Sequence, residues 1–557
     1  MGIPVLGRLP RRLRLVLYAL VAFAALSLAL AMFLFSTVLA APLPPYTPPR
    51  TIANTDVNPY GANFFLEREV EVWKRERTLS MAHDAGLTWA RQQFPWEEIE
   101  PSQGAFNWTK YDDIVALYRK NGMQVIARLD RPPLWARSSP SGSGASGPPD
   151  DFDAYGNFVQ AFVAHYKGQV NYIQIWNEPN LGREWNDAPI DPAAYTRLLK
   201  TAYTRAKATD PNIRVLTAPL AITLGEPYPK GEHVFRNMND LQFLQEMYDA
   251  GARDYFDILS ANAFGLENSP EDPADPGKLN FQRVTLERAI MEQNGDASKS
   301  VWIDEFGWNA SPATMPKTLL YWGRVTDDQQ ADYTLRGIEY ARKNWPWVGV
   351  ISIWFFRQVG DMPLNNSEYY FRMVDTDFAP RPIYIRLKDV ASQIPIAGPG
   401  QYQESNQAFR YTGVWNPRFD ARASGGVENV TTDPTAGATL KFWGDAVSLL
   451  VHTAPGAGRL LVTLDGQRVS ILPRDANGRS YVSEAADQEQ WQVTIPVATG
   501  LSRGEHTVQV QAAGQVNLDG VIIPAVEQSD LPWPMMAPLF VLGTLGLYLL
   551  LRETRAA

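Results

Sequence analysis

Between residues 55 and 393, short runs of apolar or β-branched residues alternate with longer stretches whose apolar positions recur at helical spacing. The runs NPYGANFF, TWARQQF, MQVIARL, NYIQIW, IRVLTAP, FDILSANAF, SVWIDEF and VGVISIWFF are each bounded by turn-forming residues and predict eight strands. The stretches between them predict helices over 110–121, 154–166, 192–209, 241–251, 283–294, 327–344 and 384–392. Strands that are apolar along their whole length are those covered on both faces, so the repeat predicts a parallel sheet packed with helices. A (β/α)8 barrel and a doubly wound open sheet share this local pattern. Chemistry at the strand ends separates them, because barrels gather polar groups from several strands at one face.

Beyond Pro395 the pattern changes to short alternating strands with polar turns, as in AVSLLVHTA, WQVTIPVA and EHTVQVQAAG. Residues 400–526 therefore predict an antiparallel β-sandwich of jelly-roll type, with Asp465-Gly466 as a hairpin turn. Two further stretches are uncharged and apolar, 15–41 and 531–551, and each has arginines at its outer end: Arg8, Arg11, Arg12 and Arg14 before the first, Arg552 and Arg555 after the second. Both are long enough to span a bilayer. The positive-inside rule then places residues 1–14 and 552–557 in the cytoplasm and everything between the spans outside it. Cleavage of the first stretch near Ala40 and a buried hairpin for the second are the alternatives. Residues 42–54, PLPPYTPPRTIAN, predict a stiff Pro-rich stalk, and the Gly/Ser-rich 138–151, falling after the third strand, predicts a flexible loop over a cleft.

Composition narrows the chemistry. A chain of 557 residues, 45% hydrophobic and 20% charged, fits several globular parts, and a net charge of −9 without a long basic cluster argues against nucleic acid as a partner. The absence of cysteine removes disulfides and thiolate chemistry, and the five histidines lack metal-ligand spacing, so neither a metal nor an organic cofactor is expected. No motif names a protein partner.

The fourth predicted strand runs into Trp-Asn-Glu-Pro-Asn and the seventh into SVWIDEFGWN, which puts Glu178 and Glu305 at the ends of two strands that open on one face of a barrel. Two carboxylates across a cleft are what glycosidic cleavage requires, one to protonate the departing oxygen and one to attack or stabilise the anomeric carbon. Their alternative reading is a pair of structural ion-pair partners.

With Arg91 in TWARQQFPWEEIEPSQGAFNW, these motifs resemble the retaining glycoside hydrolases of clan A over residues 55–393, most closely family 39, with family 5 the nearest rival. The resemblance implies a (β/α)8 barrel, Glu178 as acid/base, Glu305 as nucleophile, Asn177 against the sugar 2-hydroxyl, Arg91 holding the nucleophile ionised, and Trp354 as a stacking platform. Trp135 and Trp308 are further candidate stacking residues, each with core packing as its alternative. Where many members of the clan carry Ser-Val-His-Pro-Tyr at the end of the sixth strand, this chain has Ser260-Ala261-Asn262-Ala263-Phe264, so Asn262 and Phe264 line the expected site with different chemistry. The sandwich is similar to ancillary modules attached to glycosidases, either binding glycan or spacing the barrel from the second anchor. The expected activity is extracytoplasmic, membrane-anchored glycoside hydrolysis of a carbohydrate; the alternative is a non-catalytic glycan-binding scaffold in polysaccharide export or assembly.

Overall fold

The computed structural model describes residues 10–38, 48–137, 147–230, 233–320, 322–525 and 533–555. Residues 42–47 of the expected stalk and 138–146 of the expected cleft loop lie outside them. The chain forms two compact units, Met1–Tyr46 with Pro524–Ala557, and Thr47–Ile523.

The larger unit begins with eight parallel strands that close into a barrel. We label them β1 (Tyr60–Phe64), β2 (Trp89–Pro95), β3 (Gln124–Asp130), β4 (Tyr172–Ile175), β5 (Arg214–Leu216), β6 (Ile258–Phe264), β7 (Ser300–Gly307) and β8 (Val348–Ile353). Every residue of β6, β7 and β8 is buried, which is why these strands read as continuous apolar runs. Helices follow the strands as the pattern predicts, Pro192–Thr209 and Asp327–Asn344 at the expected bounds. The first starts on an Asp191 cap with proline at its first turn, and the second on a Thr326–Gln329 capping box. The helix Val72–Asp84 was not among those expected; its sequence VWKRERTLSMAHD is too polar to show a clear apolar face. A hairpin, Tyr228–Lys230 with His233–Phe235, interrupts the segment after β5 and was likewise not expected.

The two ends of the barrel differ in chemistry. At the N-terminal end, Trp89, Ile126, Tyr172, Leu216, Ile258 and Trp302 form an apolar plug, with Phe419 of the C-terminal module packed against it. That module is built between Ile396 and Ile523 from sheets that are antiparallel except where Ile396–Ala397 pairs parallel with Gly437–Gly444. Its turn at Asp465-Gly466 has φ of 50° and 72°, the doubly left-handed turn that suits a two-residue hairpin. Asp56, ahead of β1, accepts from Gln403 N (2.8 Å) and Asn406 Nδ2 (2.6 Å), fixing the module to that end of the barrel. The opposite, C-terminal end is thereby left open to solvent.

In the smaller unit the helices Arg11–Val38 and Trp533–Arg555 are long and apolar enough to cross a membrane by length and composition. They pack side by side through small residues: a Cβ on Gly543 or Gly546 would press on Leu26 or Ala22. Arg14 meets Glu553 at 3.4 Å, so the outer ends of the two helices lie together.

Candidate active site

Strand β4 ends in a strained turn. Trp176 and Glu178 have φ of 74° and 42°, in the left-handed region that bulky residues rarely adopt. The turn is held by Trp176 N donating to Leu129 O (3.1 Å), Glu178 N to Pro219 O (3.1 Å), and Asn180, whose side chain bonds both the N–H and C=O of Ala221. The consequence is that the Glu178 carboxylate is delivered into a cavity of about 420 Å³ at the open end of the barrel, which Glu305 also lines. On β7 a register shift against β6, between Ala261 and Asn262, brings Asn262 level with Glu305.

Arg91 organises the floor. From its position on β2 opposite Asn63 of β1, it donates through Nη1 to Glu305 Oε1 (2.7 Å) and Asn63 Oδ1 (2.8 Å), through Nη2 to Asn177 Oδ1 (2.7 Å), and through Nε to Gln174 Oε1 (2.7 Å). A buried guanidinium with four acceptors is a rigid clamp, and its charge-assisted bond to Glu305 fixes one carboxylate oxygen. Glu178 has different partners: Asn262 Nδ2 donates to Oε1 (2.8 Å) and Arg183 Nη2 to Oε2 (3.1 Å). Burial pushes Glu305 up to about 7, against the pull of Arg91 and with the negative charge of Glu178 adding to the rise. Asp304, also fully buried, is pushed up to about 6 by burial, with Arg91 opposing at 3.9 Å.

Of the aromatic candidates, Trp354 and Phe264 line the cavity. Trp354 is half-buried and packs edge-on to Phe65 at 5.7 Å; Phe264 is buried against Phe371 and Trp322. Trp308 and Trp135 are outside the cavity lining and pack with the core, the alternative that the sequence left open for each. Trp308 is enclosed by Phe306, Phe281 and Tyr333, and its Nε1 donates to Asn268 O (2.7 Å). Its indole also covers Gly265, where any Cβ would collide with the ring. Trp135 packs edge-on to Trp96 at 5.4 Å with Nε1 on Glu100 O (3.1 Å), outside the cavity. Both follow strands closely in sequence, but Trp308 packs on the helix Asp327–Asn344 through Tyr333, and Trp135 on Trp96.

Several lining residues were not read from the sequence. Arg183 and Glu184 follow Glu178 in the short loop NLGREW, and Trp322 and Glu368 lie in the long loops after β7 and β8. The only advance signal was the charged pair so soon after Glu178. Burial pushes Glu184 up to about 7, opposed by Arg183 and Arg128, and pushes Glu368 upward as well. Among the described residues, no group of three His, Asp or Glu side chains is placed to hold a metal ion.

Comparison with known proteins gives partial matches. The glycoside hydrolase family 42 model, described as beta-galactosidase, matches residues 66–139. Endo-1,4-beta-xylanase C of Phanerodontia chrysosporium is 30% identical over 123 residues, 22% of this chain and 30% of the xylanase. The chain thus spans under a third of the curated relatives it matches. Among solved structures, a family 39 glycoside hydrolase from Bacteroides cellulosilyticus is similar at 19% identity and TM-score 0.47, covering 83% of this chain and 82% of that one. A family 39 β-xylosidase from Caulobacter crescentus is similar at 15% identity and TM-score 0.46, covering 85% and 98%. In the sequence of residues 66–139, and in the paired glutamates that β4 and β7 bring to one cavity, this chain resembles the glycoside hydrolases.

Proposed function

We propose that the chain is a membrane-anchored glycoside hydrolase that cleaves a poly- or oligosaccharide outside the cytoplasm with retention of configuration. The observation that supports it best is that Glu178 and Glu305 line one cavity while only Glu305 is clamped by a buried arginine. In the first step Glu305 attacks the anomeric carbon as the bond from that carbon to the glycosidic oxygen breaks, and Glu178 gives its proton to the departing oxygen. This needs the one proton of the pair on Glu178 when substrate is bound, although burial raises Glu305 in the free protein; Arg91 supplies the counter-charge as Glu305 ionises. In the second step Glu178 takes a proton from water, the water oxygen attacks the same carbon, and Glu305 is released. Asn177, its Oδ1 occupied by Arg91, has its amide N–H left to donate to the sugar 2-hydroxyl. Trp354 offers its exposed ring surface to the sugar.

The two apolar helices, their arginines at the outer ends, serve as anchors that leave both termini in the cytoplasm. The C-terminal module, docked at the barrel end away from the cavity, acts as a spacer. A second reading, a glycan-binding scaffold without turnover, is favoured by Phe264, which cannot give Glu305 the hydroxyl bond that a tyrosine would. Release of reducing ends from bacterial exopolysaccharides and aryl glycosides decides between them. Product that disappears in Glu305→Gln supports hydrolysis; binding without release across the panel supports the scaffold.

A further inference from the structure

Side chains along a barrel strand alternate between the interior and the helices outside. Strand β7 breaks the alternation once. Trp302 lies inside, in the apolar plug, while Ile303 and Phe306 both belong to the core shared with the helices. The two residues between them, Asp304 and Glu305, both face inward, where strict alternation would place one. The register against β6 gives the cause: Ala261 pairs with Ile303 and Asn262 with Glu305, which leaves Asp304 as an extra residue. The bulge turns two consecutive carboxyl groups toward one guanidinium. Arg91 Nη1 is 2.7 Å from Glu305 Oε1, and Arg91 Nε is 3.9 Å from Asp304 Oδ2.

Asp304 is fully buried. Among the described residues neither of its oxygens accepts a well-formed hydrogen bond; the Ser260 hydroxyl on β6 is its polar neighbour, and Arg91 is the cation that acts on it. A buried acid so poorly provided for is costly and asks for a reason. The reaction supplies one. As Glu305 bonds to the anomeric carbon and the glycosidic bond breaks, with the proton of Glu178 leaving on the departing oxygen, the Glu305 carboxylate becomes a neutral ester. Arg91 keeps its charge, and its other acceptors, Asn63, Gln174 and Asn177, are neutral. A buried cation stranded in this way is strongly unfavourable, and Asp304 is the acid still beside it.

We propose that Asp304 is a positioning residue acting through Arg91: it is the counter-charge that holds the guanidinium in place while Glu305 is an ester. The ester state belongs to the double-displacement reading, whereas the sharing of Arg91 by two acids does not depend on turnover. The other charged groups facing the pair are Arg128 on β3, itself bonded to Asp130, and Glu178 after β4.

Four full-length proteins in detergent micelles are compared by chemical denaturation at pH 8 and pH 4: wild type, Asp304→Asn, Glu305→Gln, which is neutral as the ester is, and the double variant. At pH 8, Asp304→Asn should lower the folding equilibrium constant by about tenfold or more beyond its effect in wild type when Glu305→Gln is also present, because only then does Arg91 lack an acid. At pH 4, below the value of about 6 to which burial raises Asp304, that coupling should fall to about threefold or less, a change that a purely structural side chain would not show. Coupling under about threefold at pH 8, or equal coupling at both pH values, overturns the proposal. Should the double variant not fold, adding Arg91→Met removes the stranded cation and restores folding; continued failure to fold overturns it. In the reaction itself, a 2-deoxy-2-fluoroglycosyl adduct on Glu305 should be lost about tenfold or more faster from Asp304→Asn than from wild type, and an unchanged lifetime overturns the role in the ester state. An adduct on Glu305 together with additive stability effects leaves the hydrolase reading standing and removes this one; coupling without any adduct does the reverse.

Discussion

Replacing Glu305 by glutamine should make the protein more stable at alkaline pH and leave it unchanged in acid. Burial raises the folded-state pKa of Glu305 from the ordinary 4.5 to about 7. Because the protonated form is the one favoured by folding, the stability it contributes is fully present below 4.5 and is lost as pH rises through about 7. The size follows from linkage: a displacement of that extent corresponds to about 3 kcal/mol between pH 4 and pH 8. Glutamine has the shape and neutrality of the protonated acid, so the variant should match wild type near pH 4 and exceed it by up to about 3 kcal/mol near pH 8. Glu184 and Asp519 also titrate in this window, since burial pushes each of them upward, but they are present in both proteins and cancel in the difference. The assay is chemical denaturation of both full-length proteins followed by tryptophan fluorescence at pH 4, 6 and 8. A difference that does not change with pH, or a variant less stable at pH 8, would refute the claim that Glu305 is held at a cost in its ionised form.

Three further outcomes are expected. Glu178→Gln should slow glycosides with poor leaving groups by about 10²–10⁴-fold while sparing activated aryl glycosides in the bond-cleavage step, as pre-steady-state rates on the two substrate types will show. Arg91→Met removes the cation from four acceptors and leaves Glu305 unpaired, so it should lower stability by about 3–5 kcal/mol in denaturation and abolish turnover; Arg91→Lys, which cannot reach four acceptors, should not restore it. Trp308→Ala should cost about 3–5 kcal/mol of stability because it empties a packed core site, whereas Trp354→Ala should act mainly on KM with little change in denaturation midpoint.

Much of the barrel was legible because its strands are buried on both faces and so stand out as apolar runs, and because helices such as Pro192–Thr209 carry both cap and periodicity in sequence. What escaped was local and polar. The helix Val72–Asp84 buries little apolar surface, and β5 is only the three residues Arg214–Leu216 of a longer apolar run. For the site, the motifs around Glu178 and Glu305 pointed to one face of the barrel, and both residues line the cavity there. Of the partners of Glu178, Asn262 was expected at the site from its place at the end of the sixth strand, but its bond to Glu178 depends on a strand irregularity, and Arg183 arrives through a loop turn; neither contact leaves a spacing pattern. Trp308 and Trp135 carried two readings, stacking and core packing, because an aromatic just past a strand can turn either to the cavity or to the residues packed beside it, and sequence position is the same in both cases.

The most direct test of the central claim is covalent trapping. The protein is incubated with 2-deoxy-2-fluoroglycosides of whichever sugar it turns over, and the labelled peptide is mapped by mass spectrometry. The account predicts one adduct, on Glu305 in SVWIDEFGWN, absent from Glu305→Gln. An adduct on any other residue, or turnover of the parent glycoside that persists in Glu305→Gln, would contradict it.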